Sequence, residues 1–460
     1  LHNISVFGTS SDAGKSTLTF IIAKALCKRG INTTVFKAQN VSNNSHVADD
    51  GSEIAISTYF QSQVIGCVTS WHQNPVLLKS GSKRSVSLIV RGAECDQMGI
   101  KEYYKNLDSL KSAVEEGFLY LDRKYDTVVA EGAGGCVELN LLEKDLSNTF
   151  IADRFDTKII LVADIEKGGV FASIYGTISL LEKKFKKNLI GVIINKFRGD
   201  RSLFDDGVKI IEKKFGVKVL GVLPYKTLNL GFEDSASLFN YKQKKDAKIR
   251  VGIIHFPHMS NFNDFEPLIL DDEVQADFIK GGVEGYDLII LPGSKRVVED
   301  LLWMKKSSLF NDLKRYKKKI IGICGGYEMM FEKILDPLSV ESDRKSVFAL
   351  GFINGAVEFK KEKILKKGVY DMDSLRLHGY EIHFGVSMEH PLYFSNERYF
   401  GTFLHAVFEN DDFRKKIFKA IDERYEGYFF KEKREGVISE FCDEMIEYLD
   451  IDEVVRCISN

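Results

Sequence analysis

The sequence predicts an α/β protein built from two doubly wound, mainly parallel-sheet domains. Short apolar runs alternate with amphipathic helical patterns in two successive series. The first series opens with a glycine-rich turn between a strand and a helix, and the second carries a Cys-Gly-Gly turn at the end of a strand. At 460 residues the chain is also too long for one ordinary hydrophobic core.

In chain order, residues 3–8 read as a short buried strand, followed by the glycine turn and an amphipathic helix over 15–29 that Gly30 ends. Apolar runs at 127–130, 159–163, 189–194 and 217–222, bounded by turn residues, supply the remaining strands of the first series. Periodicity is then lost, and the charged run 241–248 ends a stretch that reads as a linker. A second series follows, with strands expected at 251–255, 287–291 and 319–323. The expected organisation is a first domain over 1–226, a linker over 227–249, a second domain over 250–445 and a tail over 446–460.

Composition excludes several classes of function. With 44% hydrophobic and 28% charged residues and a formal net charge of −2, the chain carries no field that would recruit nucleic acid or a membrane surface. Its seven cysteines are scattered without a CxxC pair, which fits a reducing cytoplasm better than a disulfide framework or a zinc site. No apolar run approaches the roughly 18 residues of a membrane span, and the N-terminus opens into a strand pattern rather than a signal peptide.

The first chemical motif is Gly8-Thr9-Ser10-Ser11-Asp12-Ala13-Gly14-Lys15-Ser16-Thr17. A glycine turn entering a helix lets backbone N–H groups approach phosphate oxygens, and the helix N-terminus adds partial positive charge. Gly8, Thr9, Asp12, Gly14, Lys15, Ser16 and Thr17 are the expected ATP-phosphate ligands, with Lys15 on the β/γ-phosphates and Ser16 on Mg²⁺. Five residues separate Gly8 from Gly14, where the common loop has four. Glu131, at the carboxyl end of an expected strand, is the candidate Mg²⁺ or γ-phosphate residue. Asp50 and Glu53 are candidates for a second acid, since Mg²⁺ takes one or two carboxylates beside phosphate and water; Glu53 is the one assigned to the metal. Asn195 follows another strand, where its amide can read an adenine edge.

The second motif is Gly322-Ile323-Cys324-Gly325-Gly326. Such a turn exposes a thiol and aims neighbouring N–H groups at the oxyanion formed when a thiolate attacks a carboxamide. His405 is the expected base, while Gly293 and Gly325 are the expected oxyanion donors. His383 either lines the thiol pocket or packs. An activating loop and an ammonia-releasing thiol on one chain together imply ATP-driven amidation fed by L-glutamine.

With both motifs in hand, the chain resembles the cobyric acid synthase family almost end to end. The longer phosphate loop is similar to that of dethiobiotin synthetase, and the second domain looks like a flavodoxin-like class I glutamine amidotransferase. Further similar stretches are 37–45, 74–79, 163–173, 195–200, 221–225, 261–265, 291–295 and 379–385. The resemblance implies ATP-dependent amidation of carboxylates b, d, e and g of adenosylcobyrinic acid a,c-diamide through acyl phosphates, with a corrinoid as the small-molecule partner. It also implies that Cys324 is the thioester nucleophile, that His405 is its base, and that Asn40, Asn43 and Asn44 face the reacting carboxylate or nucleotide. A homodimer is an admissible assembly.

The chain departs from the family pattern at Glu328, where glutamine is usual, at Cys136, and at Ala38, where proline is usual. Val407 stands where triad amidotransferases often have glutamate, leaving Glu409 as a substitute. Three rivals accompany this reading: a cobyrinic acid a,c-diamide synthase, a P-loop nucleotide-switch binding protein, and an enzyme whose Glu328 has disabled glutamine use in favour of free ammonia. The switch reading leaves the Cys324 and His405 pair without a purpose.

Overall fold

The computed structural model describes residues 1–80, 85–95, 98–99, 107–228, 230, 244 and 247–460. The chain forms two compact units. Most of the expected linker over 227–249 lies outside the described residues.

Unit 1 comprises Leu1–Ser42, Ala48–Leu228 and Glu435–Asn460. Its central sheet runs, in spatial order, Val219–Pro224, Leu189–Phe197, Lys158–Asp164, Ile4–Gly8, Thr127–Glu131 and Thr33–Phe36. Every neighbouring pair is parallel. Chain order reverses beside the first strand, so the crevice outside its carboxyl end is the natural ligand position. Continuous apolar runs such as Ile159, Ile160, Leu161 and Val162 are fully buried because helices cover both faces of a parallel sheet. A smaller sheet, formed by Gln39–Val41, Val76–Ser80, Ser85–Val90, Ala93–Glu94 and Met98–Gly99, belongs to the same unit.

Unit 2 comprises Asn43–Val47 and Asn229–Arg434. Its main sheet runs Val274–Ile279, Ile249–Ile254, Leu288–Leu291, Lys319–Ile323, Tyr399–Thr402 and Tyr393–Ser395, parallel except for the last pair. A second sheet is dominated by the long hairpin Ile353–Met372 and Leu375–Val386. The periodicity of the sequence does not announce that hairpin, because its outer half is mostly exposed and polar.

The units therefore differ from a simple sequential division. Residues 435–460 group with the N-terminal half rather than closing the second domain and trailing away. The helix Ile451–Ser459 buries Ile451, Val454 and Ile458, Asp450 N–H donates to Leu220 O at 2.7 Å, and Lys218 pairs with Asp450 at 2.8 Å. An amphipathic terminal helix is stable only where its apolar face finds cover.

Candidate active sites

In unit 1 the phosphate loop connects the strand Ile4–Gly8 to the helix Lys15–Lys28. Gly14 caps that helix at φ 98, and a Cβ there would collide with the Asn195 amide, so the position requires glycine sterically as well as conformationally. Thr9 N–H donates to Val162 O at 3.0 Å, tying the loop to the neighbouring strand. Asp12 is exposed, while Ser16 and Thr17 are half-buried at the first helical turn.

Lys15 Nζ donates to Ser10 O at 3.0 Å and Gly134 O at 2.7 Å. Burial lowers its pKa, against the raising effect of Glu131. A lysine held on one carbonyl of its own loop and one of the segment after the strand Thr127–Glu131 can be recruited by phosphate oxygens without a large movement. Ser16 Oγ donates to Glu131 Oε1 at 2.7 Å, so two of the three expected metal residues meet. Glu131 also receives Lys37 Nζ at 2.6 Å and Gln61 Nε2 at 2.7 Å. Burial works against its charge, but Lys37 and these hydrogen bonds hold the carboxyl below its usual range.

Glu53 is placed differently from the expectation. It is buried in an ion pair with Lys79, both side chains nearly inaccessible, and that pairing engages the carboxylate away from a metal role. Ser16 and Glu131 remain, and they are hard oxygen donors of the kind Mg²⁺ accepts alongside phosphate and water. Among the described residues no group of three or more His, Cys, Asp or Glu side chains could hold a metal ion.

Asn195 Nδ2 donates to Ala13 O at 2.9 Å. Its amide thus braces the loop, and Lys196 reinforces it by bridging Asp12 O at 2.5 Å and Asp164 Oδ2 at 2.9 Å. Asn40 is buried, with Nδ2 donating to Ser57 Oγ at 2.8 Å. Asn43 and Asn44 fall in unit 2. Lys37 and Gln61 were not singled out in the sequence; for Lys37 the available signal was a basic residue ending the second strand of a phosphate-binding sheet.

In unit 2 the thiol site stands at the carboxyl ends of adjacent strands. Ile323 pairs with Thr402, and the two chains leave the sheet as Cys324 and, three residues beyond Thr402, His405. Cys324 has φ 50 and ψ −111, an unfavourable backbone for a residue with a Cβ. Its N–H is held by Thr402 O at 2.8 Å, and such strain at a strand-to-helix turn is how a nucleophile is presented. Gly326 packs so tightly on Leu291 that a Cβ would overlap the Leu291 carbonyl. Gly325 lies against the 293–294 turn, where a Cβ on it would stand 2.8 Å from Ser294 N. A Cβ on Gly293 would stand 3.4 Å from His405 Cε1. The two expected oxyanion glycines therefore border the Cys324 and His405 pair.

The acid that orients the imidazole is Asp264. Its Oδ2 is 2.7 Å from His405 Nδ1 and its Oδ1 accepts Ala406 N–H at 2.8 Å. Burial disfavours a charged imidazole, but Asp264, Cys324 and hydrogen bonds to both raise His405 to about 10. The imidazole therefore favours its charged form beside the Cys324 turn. Glu409, the substitute considered from sequence, is exposed. Asp264 sits in the 261–265 stretch already noted, but more than 100 residues from His405 in the chain, so no local spacing links the two.

Tyr380 stacks on His405 at 5.1 Å between ring centres and accepts Asn261 Nδ2 at 3.1 Å. His383 is buried, stacks on Phe403 at 4.1 Å, and lies 3.2 Å from Glu381; its neighbour Ile382 O is 3.8 Å from Cys324 Sγ. Glu328 is buried on the short helix after Cys324. Burial first, then Cys324 and Glu341, push its pKa well above the glutamate value, the direction that favours the neutral carboxyl, which can donate a hydrogen bond as a carboxamide can.

Residues 4–230 match the CobQ/CobB/MinD/ParA nucleotide binding domain family, and residues 250–413 match the CobB/CobQ-like glutamine amidotransferase domain. The chain is 51% identical over 464 residues to a cobyric acid synthase from Acinetobacter baylyi, covering 100% of each chain. It is 35% identical to one from Anoxybacillus flavithermus, covering 98% of this chain and 95% of the other. It is also 38% identical to a probable cobyric acid synthase from Picrophilus torridus, covering 90% and 91% respectively.

Proposed function

The chain belongs to the cobyric acid synthase family, and from that premise we propose how its own residues carry out glutamine-dependent ligation. The enzyme is an amidotransferase that couples a nucleotide-binding domain to a glutaminase. Its substrate is the corrinoid adenosylcobyrinic acid a,c-diamide, whose b, d, e and g carboxylates become amides. Full-length identity to other members supports this reading over the a,c-diamide synthase and the nucleotide switch.

At the thiol site the Cys324 sulfur attacks the glutamine carboxamide carbon. N–H groups of Gly293 and Gly325 receive the oxyanion, and His405 gives its proton to the departing ammonia. Glutamate is retained as a thioester on Cys324 until water, deprotonated by His405, releases it. Asp264 keeps the imidazole oriented and compensates its charge throughout. The single observation that carries this assignment is the buried Asp264–His405 contact at 2.7 Å, at the carboxyl end of the strand beside the one that presents Cys324.

At the phosphate loop, an oxygen of the substrate carboxylate attacks the γ-phosphorus of ATP and ADP departs, giving an acyl phosphate. Lys15 and the loop N–H groups absorb charge on the transferring phosphoryl group. Ammonia attacks the acyl carbon and inorganic phosphate leaves. Ser16 and Glu131 would hold Mg²⁺, which when bound neutralises phosphate charge. We further propose Thr9, Asp12 and Thr17 as nucleotide contacts, and Asn195 for the base edge. Asn40 and Asn43 are proposed to face the reacting carboxylate or the nucleotide.

No helix among the described residues is long and apolar enough to cross a membrane, and all seven cysteines are free. A cytoplasmic location and a homodimer complete the proposal, the latter open to analytical ultracentrifugation. The function itself is tested by mass spectrometry of adenosylcobyrinic acid a,c-diamide incubated with the protein, MgATP and glutamine. Four successive carboxylate-to-amide mass changes are expected; Cys324→Ser should lose them with glutamine and regain them with ammonium. No amidation from either nitrogen source would reject the substrate assignment.

A further inference from the structure

Residues Asn43–Val47 lie in the glutaminase unit, although the chain on both sides of them, Leu1–Ser42 and Ala48–Leu228, forms the nucleotide-binding unit. Three side chains of this short segment reach residues that surround His405. Asn44 is buried, and its Oδ1 accepts the Asn261 N–H at 2.7 Å. Asn261 has φ 57, in the left-handed region that asparagine enters more readily than other residues with a Cβ. That backbone carries the Asn261 amide to the Tyr380 hydroxyl at 3.1 Å and to within 3.4 Å of His405 Nδ1.

His46 makes the second approach. Its ring centre is 3.9 Å from that of Tyr380, and Tyr380 in turn stacks on His405 at an interplanar angle of 18°. Val47 makes the third, packing in one apolar cluster with Tyr380, Ile382 and Ala406. The contacts differ in kind, being a hydrogen bond, a ring stack and apolar packing, yet all converge on the imidazole and its immediate supports.

We infer that Asn44 and His46 are positioning residues of the glutaminase, fixing Asn261 and Tyr380 and through them the imidazole of His405. Glutamine hydrolysis therefore depends on a segment supplied by the nucleotide-binding half of the chain. This rests on the reading of Cys324 and His405 as a glutaminase, and it gives Asn44 a different task from contacting the corrinoid carboxylate or the nucleotide. Proton delivery to departing ammonia is directional, so a tilt of the ring lowers turnover more than glutamine binding.

The test uses the intact chain with MgATP and adenosylcobyrinic acid a,c-diamide, supplied with glutamine or with ammonium. In Asn44→Ala and His46→Ala the ratio of glutamine-supported to ammonium-supported amidation is expected to fall about tenfold or more, mainly through kcat of glutamine hydrolysis rather than KM. His46→Phe, which keeps a ring against Tyr380, should retain most of the wild-type ratio. Equal loss with both nitrogen sources in Asn44→Ala would overturn the inference by assigning Asn44 to the ligation chemistry, and an unchanged ratio in both alanine variants would also overturn it. A wild-type chain that amidates from ammonium but never from glutamine would instead reject the glutaminase reading itself, independently of any variant.

Discussion

Asp264 Oδ2 and His405 Nδ1 are 2.7 Å apart, and both side chains are only 1% exposed. A carboxylate and an imidazole so enclosed interact with little screening, and a proton shared between them is held far more firmly than in water. The pair therefore sets both the orientation and the charge of the imidazole proposed as the base.

Replacing Asp264 by asparagine removes the compensating charge while keeping the shape. Glutaminase kcat is expected to fall by about 10²- to 10⁴-fold, the range seen when a buried orienting acid is neutralised. Amidation from ammonium should persist, and steady-state assays with both nitrogen sources check the split. Retention of full glutamine turnover would remove Asp264 from the mechanism.

The raised pKa of His405 has a definite sign. Its charged form is favoured in the folded state, so the stabilisation is fully present below the ordinary histidine value of 6.5 and is lost as pH rises through about 10. Glutaminase activity should accordingly fall on an alkaline limb near pH 10, and in Asp264→Asn that limb should move toward neutral pH. A pH–rate profile of glutamine hydrolysis decides it.

Burial and the neighbouring Cys324 and Glu341 disfavour the charged form of Glu328 and raise its pKa. A raised carboxyl pKa stabilises the fold at low pH, and that contribution is lost as pH rises toward the folded value. Glu328→Gln should therefore become progressively more stabilising, relative to wild type, as pH increases above the ordinary glutamate range. Thermal melts across pH would show a widening gap, and a constant gap would contradict a protonated Glu328.

The Glu131 carboxylate gathers Ser16, Lys37 and Gln61. Glu131→Gln should reduce ATP-dependent amidation by about 10²-fold or more, since a charge that orders the phosphate end is lost, and magnesium titrations should show weaker dependence. Glutamine hydrolysis measured alone should change little.

Lys79 and Glu53 form an ion pair with side chains 3% and 1% exposed. Lys79→Met leaves a buried carboxylate without its main charge partner and is expected to cost about 3–5 kcal/mol. The double change Lys79→Met with Glu53→Gln should cost less than the single one. Chemical denaturation of the three proteins measures the coupling.

Much of both sites was legible in local order. A strand, a glycine turn and a helix bearing Lys15 and Ser16 lie within one short stretch, as does the strand and turn that present Cys324, so backbone geometry follows from neighbouring residues. Glu53 misled because an acid in a polar loop looks alike whether it awaits a metal or an ion-pair partner, and its partner Lys79 is 26 residues away. Asp264 is obscure for the same reason, standing 141 positions before His405 in the chain.

By itself the sequence determined the two doubly wound units, the phosphate loop, the thiol turn and the pairing of ATP with glutamine, because periodicity and glycine spacing act over a few residues. Tertiary structure alone decided which acid contacts His405, that Glu53 pairs with Lys79, and that residues 43–47 and 435–460 belong to units other than their neighbours in the chain. Those choices depend on which strand ends adjoin and on which apolar faces find cover, and both are properties of the folded chain as a whole.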